Sequence, residues 1–222
     1  FGTYQQLLFI QMQTSDFSGA FQTFEATHAR YLAEQLKGTI LEIPSAKTFQ
    51  NMFQSQTTAL LYGNSDTVKM TLLRLTNTQL QGQLIEIQPF LDTINQRYAQ
   101  AFQVTSTHRH LRGSPEQRSL TLIAENKVQE QDKTLTNLIY HYRGLLIKPD
   151  PTKEIERKDL AHLLYQLLIK PWEKDLIKTK ELLIAPDGVF GFLPFETLID
   201  DQGKYLGEKY DISYTQSMIT WQ

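Results

Sequence analysis

LLIAPDGVFGFLPFETLIDDQGKYLGEKYDISY, residues Leu182–Tyr214, has the cadence of a buried strand, a tight turn, a short helix, a loop and a second strand. Leu182, Leu183, Ile184 and Ala185 form an uninterrupted apolar run, as a strand covered on both faces requires. Pro186-Asp187-Gly188 ends it, because proline fixes φ and removes a donor while glycine accepts positive φ. Phe190, Phe192, Leu193, Phe195 and Leu198 gather around Pro194 and predict a short helix pressed on a sheet. Asp201-Gln202-Gly203 makes a turn, and Tyr210, Ile212 and Tyr214 alternate as in a strand with one buried face.

Working outward, Lys178-Thr179-Lys180 leads into this stretch from a helix with Leu160, Leu163, Leu164, Leu167 and Leu168 inward. Lys148-Pro149-Asp150-Pro151 before that helix reads as the strongest linker in the chain. Ser114 as N-cap, Pro115 at the first helical position and Gln117 completing a capping box start a helix that runs to about Tyr142. Its inward residues are Leu120, Ile123, Val128, Leu135, Leu138, Ile139 and Tyr142, and its middle, 125–133, is nearly all polar. Pro89 opens another helix, with Phe90, Leu91, Ile94, Tyr98 and Phe102. Three strands precede it: one at Ala59–Tyr62, one with Val68, Thr71, Leu73 and Leu75, and one with Leu80, Leu84, Ile85 and Ile87. Asn77-Thr78-Gln79 turns the chain between the last two. Ser45 caps a short helix through Phe53, and residues 3–37 read as a helical hairpin. That hairpin carries Tyr4, Leu7, Leu8 and Met12, then Ala20, Phe21, Phe24, Ala29, Leu32 and Leu36, with Gly38 at its end. Alternating helices and strands make the expected class α/β.

The 222 residues hold one large domain or two small ones. With 22 lysines and arginines against 24 acids, the formal net charge is −2, which speaks against nucleic-acid and acidic-membrane partners. No cysteine is present, so disulfides, thiolate metal sites and thiol nucleophiles are excluded within these residues. That usage fits a reducing, cytoplasmic setting. No apolar run reaches about 18 residues and no signal-peptide pattern is present, so the expectation is a soluble chain. Phe1 in first place, and a last strand that leads nowhere, set the expectation of a piece of a longer protein.

The set Pro186-Asp187-Gly188, Leu193-Pro194-Phe195-Glu196, Tyr205-Leu206 and Tyr210-Asp211-Ile212-Ser213-Tyr214 resembles the opening of a CHAT domain, a branch of the caspase-like cysteine peptidases related to separases. The order of elements extends that resemblance to Ile43–Gln222, and residues 1–42 resemble the tetratricopeptide-like tail that often precedes such domains. An ordinary helix pair is an equally good reading of 1–42. The resemblance implies a caspase-like α/β/α sandwich with an added antiparallel hairpin, here its N-terminal portion. It implies peptide-bond hydrolysis by a Cys/His dyad beyond this chain, without metal or organic cofactor. Implied partners are the C-terminal half of the same domain, a protein or peptide substrate, and an activating protein bound through the helical tail. The rival is a non-catalytic scaffold or protein-binding module with a degenerate caspase-like domain.

Candidate chemistry within the chain is sparse. His108 and His110 form the only close histidine pair, but two ligands do not make a structural zinc site. His28, His141 and His162 lie on predicted helices and read as packing or surface residues. No G-x-S-x-G elbow and no phosphate-binding loop occurs. Lysines 148–180 are interleaved with acids, as on a solvated face. Catalytic, metal and cofactor residues are therefore expected to be none. Asp187 follows a strand's carboxyl end, where open parallel sheets collect ligands. The loop residues Asp187, Gly188, Phe190 and Phe192 are the candidate wall of a substrate cleft. The competing reading makes Asp187 a turn residue whose carboxylate accepts backbone N–H bonds. Glu196 is expected to satisfy the N-terminus of its own short helix.

Overall fold

The computed structural model describes residues 2–35, 43–64, 69–98 and 135–221. Five strands form one mixed sheet in the order β3-β2-β1-β4-β5. β1 (Thr57–Asn64), β2 (Lys69–Thr76) and β3 (Leu80–Glu86) make an antiparallel meander. β4 (Glu181–Pro186) runs parallel to β1, and β5 (Asp211–Tyr214) parallel to β4. The apolar run Leu182–Ala185 is thus an interior strand, hydrogen-bonded on both sides.

Why that run is continuous follows from the period of two along a strand. Leu182 and Ile184 join Leu60, Tyr62, Met70 and Leu72 in one buried cluster. Leu183 and Ala185 join Ala59, Leu61, Leu73 and Leu75 in another. Helices cover both faces. α1 (Gly2–Gln13), α2 (Phe17–Gln35) and α3 (Ala46–Met52) bring Leu8, Met12, Phe21, Phe24 and Phe49 to the second cluster. α4 (Gln88–Tyr98), α5 (135–147) and α6 (Glu154–Leu168) bring Ile94, Leu138, Tyr142, Leu164 and Leu168 to the first. α1 and α2 therefore share a core with the sheet; the boundary expected at residue 42 falls outside the described residues.

Local signals set several ends. Ser15 turns the chain at φ 59°, and the Asp16 carboxylate accepts the Gly19 N–H at 2.9 Å to start α2. The Ser45 hydroxyl accepts the Thr48 N–H and starts α3. Asp150 accepts the N–H of Thr152 at 2.9 Å and its hydroxyl at 2.7 Å, beginning a 3₁₀ turn, Pro151–Lys153, that runs straight into α6. The linker read at Lys148–Pro151 is thus a capped joint between two helices of one layer.

The short helix expected around Pro194 is two 3₁₀ turns, Gly188–Phe192 and Phe195–Thr197. Pro194 has no N–H, and it pushes Leu193 to an extended φ of −88° and ψ of 120°, so no helix can pass through. β5 lies at the edge of the described sheet with only Ile212 partly buried, less covered than a strand with one buried face. The expected Ser114 helix start, Leu120, Ile123, Val128, Phe102, Val68, Gly38, His108 and His110 lie outside the described residues.

Candidate functional site at the carboxyl ends of the parallel strands

β1, β4 and β5 point the same way, so their carboxyl ends open onto one edge of the sheet. Tyr62 pairs with Pro186, and Ile184 with Tyr214. Beyond these pairs stand Gly63 and Asn64, the loop from Asp187, and the segment from Thr215. The Asp187 N–H donates to the Tyr62 carbonyl at 3.1 Å, extending the ladder by one bond. Gly188 then reverses the chain at φ 57°, a conformation that favours glycine.

The Asp187 carboxylate makes no hydrogen bond to its own turn, which corrects the turn-capping reading. Instead it reaches across to α2, 3.7 Å from Nε2 of His28. Nδ1 of His28 lies 2.9 Å from the Phe24 carbonyl. A carbonyl only accepts, so Nδ1 carries a proton, and Nε2 holds the carboxylate as an ion pair when the ring is doubly protonated. Tyr4, Leu8, Phe24, His28, Gly63 and Asp187 line a small crevice here. A Cβ on Gly63 would stand 3.3 Å from the Phe24 ring, so glycine keeps α2 close to the strand end.

One turn before His28, Glu25 is fully buried (0 % exposed). Its carboxylate accepts the N–H of Met218 at 3.0 Å and that of Ile219 at 3.2 Å. Burial pushes its carboxyl above the ordinary value of 4.5, and the two N–H bonds and His28 oppose that rise. Glu25 and His28 are three apart on one helix face. α2 thus holds both the segment after β5 and the loop after β4. Sequence reading missed Glu25, although an acid four residues beyond Phe21, on the apolar stripe of α2, is the signal that marks it.

The four candidate loop residues are not brought together. Asp187 and Gly188 stand at the strand ends. Phe190 is buried with Tyr62 at 6.0 Å between ring centres, so it fills core. Phe192 lies towards α5, its ring 5.4 Å from that of Tyr140, with the Arg143 guanidinium 5.9 Å above it. Glu196 accepts the Tyr214 hydroxyl rather than the N–H groups of its own turn, and the same Tyr214 oxygen accepts the Phe195 N–H at 2.8 Å. Burial and the Glu196 carboxylate push the Tyr214 phenol up. Elsewhere His141 pairs with Glu156 at 2.7 Å, and His162 Nδ1 donates to the Ile199 carbonyl at 3.1 Å. Among the described residues no three histidines, cysteines or acids gather as for a metal ion. With a carboxylate, an imidazole and backbone groups but no thiol, this edge can position a ligand and offers no sulfur nucleophile.

The described chain is an α/β fold with a five-stranded mixed sheet. The family model of the CHAT domain matches residues 158–220, from within α6 to the segment held by Glu25, which bears out the resemblance over that stretch. No curated protein matches the chain at a significant level. No helix among the described residues is long and apolar enough to cross a membrane.

Proposed function

We propose that the chain is the N-terminal portion of a caspase-like α/β/α peptidase domain of the CHAT type. The observation that carries this reading is the family match at 158–220, which spans β4, the Asp187 loop and β5 of a sheet with helices on both faces. The β2–β3 pair is the added antiparallel hairpin. The whole domain would hydrolyse peptide bonds with a cysteine and a histidine outside these residues. The imidazole takes the thiol proton, the thiolate attacks the scissile carbonyl, and the imidazole returns the proton to the leaving amine. The sequence has no cysteine, so this portion supplies scaffold and cleft wall, with Asp187 and Gly188 at the carboxyl edge. α1 and α2 are the arm through which a protein partner would act, since Glu25 and His28 link α2 to both carboxyl-end segments.

The test compares this chain with the longer polypeptide encoded in the same reading frame, using a fluorogenic peptide library with and without iodoacetamide. Thiol-sensitive cleavage by the longer polypeptide, and none by the 222-residue chain, is the expected result. Cleavage that survives alkylation refutes the cysteine mechanism. No cleavage by either, in a longer chain lacking a cysteine after a strand, establishes the rival reading as a non-catalytic scaffold.

A further inference from the structure

The outward stripe of α5 is unusual for a helix that covers a sheet. Leu138, Ile139, Tyr142 and Leu145 face the core, and the opposite stripe of such a helix is normally charged. Here Tyr140, Arg143, Gly144 and Ile147 occupy it at i, i+3, i+4 and i+7, and Tyr140 and Ile147 are 49 % and 65 % exposed. Phe192, 46 % exposed, lies against Tyr140 and under Arg143, which extends the apolar strip onto the loop after β4. A shallow groove runs from Tyr140 past Gly144 to Lys148 and Lys153.

Gly144 lies inside the hydrogen-bonded helix, its carbonyl accepting the Lys148 N–H at 3.0 Å. Glycine is the poorest residue there except proline. A Cβ at this position meets nothing within 4 Å, so the described chain gains no packing from its absence. What a bare backbone allows is the close approach of another backbone. The groove's charge selects what approaches. Arg143 stands over the Phe192 ring, and Lys148 and Lys153 line the groove together with Asp150, whose charge Lys153 partly offsets. Asp150 keeps its negative charge while accepting from Thr152, and Glu156 pairs with His141, so the three cations outnumber the one unpaired carboxylate of the groove.

We propose that this face of α5 is a docking surface for an acidic peptide segment of a protein partner. Its backbone crosses Gly144, an apolar side chain lies on Tyr140, Ile147 and Phe192, and flanking carboxylates meet Lys148 and Lys153. Three cations set against the Asp150 carboxylate make too short a positive track for a nucleic acid, whose affinity rests on many phosphate contacts, and suit a short acidic peptide better. The inference concerns binding by this chain alone and stands apart from the peptidase reading.

A random peptide library panned on the whole chain tests it, with Gly144→Gln and Lys148→Glu as comparison proteins. The expected enrichment is of peptides with acidic residues around an apolar one. Their affinity, measured by fluorescence polarisation, should fall at least tenfold in Gly144→Gln, whose melting temperature should equal or exceed that of the wild type. Lys148→Glu should weaken binding as well, and added salt should weaken binding to the wild type. Failure to enrich, enrichment without acidic bias, or equal affinity for Gly144→Gln overturns the proposal. So does dimerisation of the chain that Gly144→Gln abolishes, or competition by a single-stranded RNA oligonucleotide, because each assigns the face to a different occupant.

Discussion

Replacing Glu25 probes how α2 is tied to the carboxyl edge of the sheet. Glu25→Gln keeps the volume but offers one acceptor oxygen where two N–H groups arrive, at 3.0 Å from Met218 and 3.2 Å from Ile219. Leaving one buried donor facing an amide NH₂ should cost about 2 kcal/mol. Glu25→Ala strands both donors and opens a cavity, so about 3 kcal/mol or more is expected after relief of the buried charge. The glutamine variant also carries a pH signature. Burial holds the Glu25 carboxyl above 4.5, so the native state binds this proton more tightly than the unfolded chain does. The stability tied to that proton is full below pH 4.5 and is lost as pH rises through the raised value. Glutamine cannot titrate, so the deficit of Glu25→Gln should be widest near pH 4.5 and narrow towards neutrality. Urea unfolding at several pH values measures this, with unchanged slopes as the control. Hydrogen exchange at the Met218 and Ile219 amides gives the local readout and should quicken in both variants. Losses below about 0.5 kcal/mol for both substitutions, with those amides still protected, would refute the tether.

Gly188→Val should cost about 1–2 kcal/mol because φ is 57° there, and Gly188→Asn distinctly less, both measured by chemical denaturation. Asp187→Ala should change stability by less than about 1 kcal/mol, since its carboxylate makes no turn bond and its His28 partner stands 3.7 Å away near the surface; a larger loss would restore the turn-capping role. Asp200→Asn should cost about 2 kcal/mol, because the buried carboxylate accepts the N–H groups of Gln202 and Lys204 and the Lys209 ammonium. Burial works against that charge, yet these donors hold the carboxyl below 3.8, so its contribution is present above pH 3.8 and is lost as pH falls through the lowered value. The Asp200→Asn deficit should therefore shrink in acid, the reverse of Glu25→Gln.

What could be read from the chain in advance was whatever a short window of side chains dictates. A short run of four apolar residues at 182–185, closed by Pro186 and Gly188, suits a strand covered on both sides, and the two clusters bear that out by dividing the run residue by residue. Ser45 and Asp16 start helices because a short oxygen side chain beside free N–H groups acts locally. The dense apolar patch around Pro194 misled because hydrophobic content reports burial, not backbone path. Phe190 and Phe195 are indeed buried, but a proline between them divides the path into two turns. Lys148–Pro151 was legible as a connection between helices for a local reason too. Proline and aspartate mark the end of one helix and the start of the next equally well whether the two helices share a core or not.

The site was harder to read because its bonds close over long sequence distances. Glu25 meets Met218, and His28 meets Asp187, across most of the chain; no window joins them. An acid on an apolar stripe does carry information, because a carboxylate taken out of water needs donors from somewhere. In α2 the helix's own N–H groups are already used by its backbone bonds, so the donors had to come from another element. The amides of Met218 and Ile219, at the start of the last 3₁₀ turn, are free in the way the first N–H groups of any helical turn are. The same argument separates Glu25 from His28: the buried carboxylate had to find partners, whereas His28 satisfies one nitrogen within its own helix and keeps the other for Asp187. Of the two ties between α2 and the sheet edge, the one to the segment after β5 is therefore the stronger. A pull on α2 should release the loop at Asp187 before it frees Met218.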